Sequence, residues 1–456
     1  MPQKNIYSVE KVPESFLKNN NLNKSITVES SSVWLKRGVW LYFLLLIFEG
    51  ALRKWILPGL SAPLLVVRDP LAILIIASAW NKNLLPPNKY MSSMIVVCVI
   101  ATITALTIGH GSISVAAYGA RILLIHFPLI FAIGEIFSRG DVVKIGKVML
   151  WISIPVVILT AMQFYSPQSS WVNRGVGGDM EGSGFSGALG FFRPSGTFSF
   201  TTGNTLFFSF LACFVLFFWV SNEKVNKIIL IAATTALLAS IPFSISRTLF
   251  FSIVVSLFFT LIAVSRDPKY LVRMLLATIF LVLMITLLSH TESIGTAINA
   301  FTHRFETAGK IEGGVAGSIL NRYLGGLIDA ITNTDNLPFF GFGIGMGTNA
   351  GSAMLTGDRA FLIAEEEWGR LIGEMGIALG ILTILIRLAF SFSLTLKSYK
   401  KIENGDLLPW ILLSFALLII PQGQWAQPTA LGFSTLVGGL ILAIVSTKEN
   451  LFLRNE

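Results

Sequence analysis

The chain reads as a succession of long apolar runs separated by short polar stretches. "GVWLYFLLLIFEGAL", "MIVVCVIATITALTIG", "LFFSFLACFVLFFWV" and "MLLATIFLVLMITLLS" approach or reach the roughly 20 apolar residues that a spanning helix needs. None shows the period-2 alternation of a membrane β-strand. Such runs predict about twelve spans, at roughly 38–57, 62–80, 90–109, 113–135, 146–165, 203–221, 227–243, 247–264, 272–289, 369–393, 408–421 and 427–446. The fold class that follows is all-α, a polytopic integral membrane protein of about twelve transmembrane helices. A polar N-terminal tail, 1–37, leads into a single membrane domain, 38–446, and a short tail, 447–456, follows it. The first 32 residues carry no apolar h-region and no cleavage pattern, so they are expected to form a retained cytoplasmic tail and not a signal peptide.

Composition agrees with this class. Of 456 residues 53% are hydrophobic and 13% charged, with a mean hydropathy of +0.71, which points to a bilayer before any globular alternative. A formal charge of +9 would raise nucleic acid as a partner for a soluble protein. In a membrane protein the distribution of Lys and Arg over the loops is the informative quantity, and no nucleic acid is expected. The loops "NKNLLPPNKY", "SRGDVVKIGK", "NEKVNK", "SRDPKYLVR" and "KSYKKIENGD" are basic, as are both tails. About 21 of the 34 basic residues therefore fall on one side, the cytoplasmic one by the positive-inside rule, with both termini there. The opposite set holds three short loops, "HGSIS", "PFSISR" and "PQGQWAQP", and two long ones, 166–202 and 290–368. Long loops carrying glycine turns and aromatic residues are uncommon in compact domains unless functional or disordered, so the working surface is expected to be extracytoplasmic. No internal repeat announces an inverted-repeat transporter.

Ionisable residues at membrane depth cost several kcal/mol and default to functional hypotheses. "FEGALRKWILPGLSAPLLVVRDPL" places Glu49 and Arg53 four residues apart, then Arg68 and Asp69, which fits a structural ion-pair cluster stapling the first two spans. Arg121, in "YGARILLIHFPLIF", either pairs with distant Asp69 or binds an anion. His126 on the same span reads as a hydrogen-bonded packing residue, since no second ligand lies at metal spacing. On the outer side, Arg193 precedes a Pro-Ser-Gly turn, with glycines upstream that permit a lid-like loop. Arg247 opens the eighth span, Arg322 lies in the second long loop, and Arg370 follows three glutamates in "AEEEWGRLIGEMGIALG". Several outward arginines near helix ends suit a diphosphate or other polyanion, because guanidinium forks bind phosphate oxygens bidentately and stay charged. If the glutamate segment is already helical, Glu366, Arg370 and Glu374 share one face at i, i+4 spacing and Glu365 points elsewhere. The three glutamates could equally be a helix-start cluster that complements the dipole.

Other chemistry is excluded. Gly345, Gly347 and Ala350 match G-x-G-x-x-A without the strand and βαβ context that a dinucleotide site needs, and read better as a tight re-entrant turn. His290 and His303 lack the H-E-x-x-H arrangement, and no G-x-S-x-G elbow occurs. Cys98 and Cys213 each sit in an apolar run, so neither a disulfide framework nor a zinc site is expected.

The order of features from about 190 to 390 resembles the O-antigen ligase and O-antigen or exopolysaccharide polymerase superfamily, polytopic glycosyltransferases of GT-C type. "RPSGTF" with Arg193 precedes a span. "SISRTLFF" stands where the family has Ser-Arg-Ser/Thr opening a helix, and a long outer loop with an arginine follows. "LPFFGFGIGMG" stands for its Pro-hydrophobic-hydrophobic-Gly-x-Gly turn, and "EEEWGRLIGEMGIALG" for a segment ending in Glu-x-Gly. The resemblance implies a polyprenyl-diphosphate-linked glycan donor, a glycan acceptor, contact with membrane lipid and a place on the outer face of a bacterial inner membrane. It implies no cofactor and no metal, and a chain-length regulator or flippase as a partner. Arg193, Arg247, Arg322, Arg370 and Arg121 become diphosphate-binding candidates. Glu365 and Glu367 become catalytic ones. Ligases carry a His-Asn pair about nine residues before Glu-x-Gly; counting back from Glu374 lands on Glu365, which favours the polymerase branch. The implied reaction is attack of an acceptor hydroxyl on the anomeric carbon, with Glu365 or Glu367 as general base and arginines on the leaving diphosphate. A ligase joining glycan to a lipid acceptor, a lipid-linked glycan flippase or secondary transporter, and a noncatalytic assembly subunit remain open as alternatives.

Overall fold

The computed structural model describes residues 14–265, 292–311, 337–358 and 361–446, together with the single positions 272, 279 and 332. It is 74% helical. In chain order the helices are α1 (Glu14–Ala51), α2 (Arg68–Asn81), α3 (Lys89–Thr107), α4 (Ile113–Arg121), α5 (Phe127–Ile136), α6 (Arg139–Tyr165), α7 (Thr201–Val220), α8 (Lys227–Ser244), α9 (Arg247–Val264), α10 (Glu292–Ile311), α11 (Asn349–Thr356), α12 (Glu367–Glu403), α13 (Leu408–Ile419) and α14 (Pro428–Val445). A short antiparallel hairpin of β1 (Phe185–Ala188) and β2 (Phe191–Arg193) lies between α6 and α7. Nine helical segments among the described residues are long and apolar enough to cross a bilayer, so the chain is an all-α, multi-pass membrane protein.

The predicted spans fall on these helices with four departures. The span expected at 38–57 lies in α1 and the π-turn Leu52–Ile56 and is not among the nine segments. The span expected at 272–289 and the candidate Arg322 lie outside the described residues. The span expected at 408–421 is the twelve-residue α13, about 18 Å long at 1.5 Å per residue and well short of the roughly 30 Å hydrocarbon layer. The span expected at 369–393 belongs to α12, whose helix is broken at Gly376 (φ 74°, ψ 170°). The chain reverses there: a Cβ at Gly380 would press on the Ile372 backbone, and Arg387 reaches Glu367, twenty residues earlier. α12 is thus a helical hairpin with a short arm, 367–375, folded back on a long one, 377–403. The outer loop expected over 290–368 also contains α10 and α11, two helices that the apolar-run reading did not resolve.

A polar cap explains why α6 starts earlier than its apolar run. Ser138 accepts from the Asp141 backbone, and the Asp141 carboxylate accepts from the Ser138 backbone, a reciprocal arrangement that satisfies two helix-start donors. Lys36 adds an ion pair to Asp141 at 2.7 Å. The basic stretch "RGDVVKIGK" becomes helix as a result.

Burial separates the inside of the bundle from its lipid-facing shell. In α7, α14 and the segment Ile113–Ile136, 83% of the most apolar window is buried, against 22% for Pro58–Asn81. Moving an apolar side chain from lipid to protein yields no hydrophobic gain, so close contact through small residues must hold such helices together. Gly134 and Gly439 do this between α5 and α14, where added Cβ atoms would meet Leu442 and Ile133 at 2.6 Å.

The loops segregate as their charge requires. Arg139 binds Glu223 and Asp406, each at 2.7 Å, so the loops before α6, after α7 and after α12 share one face. On the opposite face, called outer below, His110 contacts the Ile344 carbonyl at 3.2 Å and Trp368 donates to the Pro421 carbonyl at 3.0 Å.

Candidate functional site

A buried group of ionisable side chains collects where the outer ends of α1 and α2 meet the inward end of α4. Two of the helices that carry it change winding there. Leu52–Ile56, continuing α1, and Ile122–His126, continuing α4, are π-helical; such wide turns recur at functional sites. The first carries Arg53 and Lys54, adjacent in sequence yet both buried. Glu49 accepts from Arg53 at 3.3 Å and from Arg68 at 3.1 Å. Asp69 accepts from Arg121 on both oxygens, at 3.0 and 3.1 Å, and lies 2.9 Å from His126, whose other ring nitrogen meets Tyr42. Among the described residues, Arg53, Lys54, Arg68 and Arg121 gather around two carboxylates, Glu49 and Asp69. Before His126 is counted, two positive charges are in excess. An ion pair that balances itself is tolerated in a low-dielectric interior, whereas uncompensated buried charge costs several kcal/mol.

Arg121 resolves its two alternatives in favour of Asp69. Its guanidinium also lies 4.0 Å from the Tyr118 ring, and Nε and Nη2 have no hydrogen-bond partner. Of this diphosphate-binding candidate, one terminal nitrogen, Nη1, is thus engaged with Asp69 within the bundle. His126 is the packing residue expected, 1% exposed.

The turn that follows Arg193 is docked on this group. Arg193 ends β2 and is half-buried. Beyond it, Lys54 donates to Ser195 Oγ at 2.9 Å and to the Gly196 carbonyl at 2.8 Å, Thr197 donates to the Ile47 carbonyl at 2.8 Å, and Arg53 donates to Ser199 Oγ at 3.0 Å. Gly50 makes the approach possible, since a Cβ there would collide with the Phe198–Ser199 backbone. From α6, Gln163 accepts from Gly196 N at 2.7 Å.

Arg247 is the first residue of α9, behind the Ser246 cap. Ser246 meets Thr205 at 3.1 Å, and the β-hairpin packs on the preceding turn through Gly187 against Ile245. The structure therefore brings the elements bearing Arg193 and Arg247 together. It also adds Arg304 of α10, which donates to the Gly187 carbonyl at 2.9 Å. Sequence reading did not single it out, although an arginine in an amphipathic outer helix was a visible signal.

The three glutamates separate cleanly. Glu365 and Glu366 are exposed and Glu367 is buried. Helix α12 begins at Glu367 with Glu366 as its N-cap, so the expected Glu366–Arg370–Glu374 ladder is displaced by one residue. Arg370 binds Glu367 at 2.9 and 3.1 Å, three residues back, and Glu374 four residues on. Glu367 also accepts from Arg387 at 2.6 Å. Arg387 is spent on the Ile420 and Gly423 carbonyls and lies 3.9 Å from the Trp425 ring. Two arginines and two glutamates balance, all at 3% exposure or less. Arg370, a diphosphate-binding candidate, and Glu367, a catalytic one, thus lie in a closed ion-pair network that fastens the α12 hairpin.

Glu374 has a second duty. It accepts from Gly347 N at 2.9 Å, anchoring the turn 341–347, whose Gly341, Gly343 and Gly345 have positive φ. This turn is re-entrant, as its glycines required: Gly345 packs on Gly119 and Gly341 on Gly376, contacts that Cβ atoms would forbid.

Glu365 is left as the available carboxylate, exposed and without a side-chain partner among the described residues. Its position is fixed through the backbone. Gln424 donates to the Glu365 carbonyl at 3.0 Å, Gln427 donates to Gln424, and the next residue, Pro428, accepts from Arg68 at 2.7 Å. The loop between α13 and α14 therefore connects the carboxylate segment to the buried cationic group. Among the described residues no three His, Cys, Asp or Glu side chains are placed to hold a metal ion. No protein-family model matches the chain, and no curated protein sequence matches it significantly.

Proposed function

We propose that the chain is a GT-C type glycan polymerase at the extracytoplasmic face of a bacterial inner membrane, with both termini in the cytoplasm. It transfers a polyprenyl-diphosphate-linked oligosaccharide to the end of another glycan, in O-antigen or exopolysaccharide synthesis. The observation that carries this reading is the excess of buried cationic side chains docked on the turn after Arg193, joined through the loop 424–428 to the unpartnered carboxylate of Glu365. Fixed cations stabilise charge that builds on a leaving diphosphate without reorganising, and an accessible carboxylate can take the proton of an attacking hydroxyl. In this reading Arg193 and Arg247, with Arg322, hold the diphosphate. Glu365 is the base.

The test is polymer synthesis in cells carrying well-expressed Glu365→Gln or Arg193→Ala chains. Loss of polymer with accumulation of single lipid-linked repeat units is expected; full-length polymer from both variants would sink the transferase reading. One observation favours a second reading, a lipid-linked glycan flippase: the ionisable chain Glu49–Arg68 and Asp69–Arg121–His126 lies buried among helices, as in transport pathways. Repeat units retained on the cytoplasmic face would select it.

A further inference from the structure

Lys54 stands apart from every other buried cation among the described residues. Its ammonium is fully buried, and it contacts a hydroxyl, a carbonyl and the Trp55 ring at 4.5 Å, with no carboxylate among the described residues. Of its three N–H groups two have acceptors. Beside the same Gly196, Asn204 is 0% exposed and its Nδ2 has no acceptor; Thr201 Oγ1, one turn back, has no partner either. Surplus donors and surplus positive charge at one place ask for an anion, because each unmatched buried donor and each uncompensated charge carries a desolvation cost.

The cover over this place is built to move. Loop 175–184 crosses the outer end of α1, meeting the cationic group through Gly177 N on the Arg53 carbonyl at 3.1 Å and Ser183 Oγ on Ser195 Oγ at 2.8 Å, and tied to the segment that follows α6 by Ser183 N on the Asn173 carbonyl at 2.7 Å and Gly184 N on Gln168 Oε1 at 2.9 Å. Three of its glycines, Gly177, Gly178 and Gly182, have positive φ, and no apolar side chain from it enters the main core. Opening it breaks only the two contacts to the cationic group and exposes little apolar area.

We propose that Lys54, with Asn204 and the Ser195–Gly196 turn, forms a phosphoryl-anion site that loop 175–184 closes. The inference rests on the polymerase reading for its ligand, the diphosphate of the lipid carrier, and deepens it by naming a cation from the first span, outside the stretch that carries the family resemblance. Lys54 sets the charge; the outer arginines meet the same group from the solvent side.

The experiment is thermal unfolding of the full chain in neutral phosphatidylcholine nanodiscs, titrated with inorganic pyrophosphate. Parallel nanodiscs containing phosphatidylglycerol and no pyrophosphate are run beside them. The wild type is expected to gain several degrees with pyrophosphate. Lys54→Met should raise the half-saturating concentration at least tenfold, and Lys54→Arg should retain most of the response. Asn204→Asp, nearly isosteric, supplies the missing negative charge and should weaken binding as Lys54→Met does, so the proposal stays testable if Lys54→Met folds poorly. Wild-type-like titration of either charge-altering variant, or no response of the wild type, overturns the site. A response to phosphatidylglycerol alone assigns the cations to bulk lipid headgroups and overturns the diphosphate assignment. Polymer synthesis is read separately: polymer lost on Glu365→Gln with unaltered Lys54→Met titration fails this inference alone, and a Lys54-dependent titration with polymer intact on both Glu365→Gln and Arg193→Ala fails only the polymerase reading.

Discussion

Arg387 Nη1 lies 2.6 Å from Glu367 Oε1 across twenty residues of one nominal helix. A straight helix would hold these residues about 30 Å apart. The contact exists because Gly376 reverses the chain, and it decides which glutamate is free for chemistry: Glu367 is bound by two guanidiniums, whereas Glu365, two residues earlier, is not.

Glu367→Gln is therefore expected to cost about 3–5 kcal/mol of stability, the usual penalty for breaking one side of a buried pair. Arg387→Met in the same chain should recover part of the loss, since the stranded charge goes with it. Denaturation in a detergent titration of the single and double variants measures both. Glu365→Gln should unfold like the wild type. A stable Glu367→Gln chain would contradict the closed network.

Gly376→Ala should fail for a backbone reason. The site needs φ near +74°, and a Cβ would collide with the Phe339 carbonyl. Strain of about 1–2 kcal/mol at a non-glycine residue, with the collision added, should release the re-entrant turn 341–347 from Glu374. Faster proteolysis within 337–366 is the expected readout, with the distant cap at Ser138 unaffected.

Ser138→Ala supplies the contrasting case on the other face. It removes half of a capping box and should cost about 1 kcal/mol, visible as a small shift in unfolding midpoint. Polymer length should not change, because the cap is remote from the outer group.

Sidedness can be read with an impermeant maleimide. Cys98 and Cys213 are fully buried, so the native chain should label poorly in intact cells. Met180→Cys, on the exposed outer loop, should label from outside. Asn222→Cys, exposed near the Arg139 clamp, should label only after permeabilisation. The reverse pattern would invert the topology.

What was legible in the sequence follows from the range of the interactions. Apolar runs fixed most helices, because a span is a local property. The Glu49–Arg53 pair was readable from i, i+4 spacing, and Asp69 was already named as a partner for Arg121. Lys54 was not singled out, since only a π-turn buries it beside Arg53. Arg387 was also passed over, although a lone arginine in "ILTILIRLAF" announces a buried partner. The roles of Glu367 and Arg370 depended on where α12 starts and where it reverses. The reversal is held by Gly376 packing on a turn more than thirty residues earlier, beyond any periodicity.

The brevity of α13 has a consequence for how a lipid substrate is met. Twelve residues of helix carry the backbone only about 18 Å from the inner face before the loop 420–427 begins, and that loop holds Gln424, Trp425 and the carbonyls that bind Arg387. In the polymerase reading, these polar groups would lie below the level of the outer headgroups, as a basin recessed from them. A membrane-embedded amphiphile can present its head to such a basin by lateral diffusion alone, with its tail still in the bilayer.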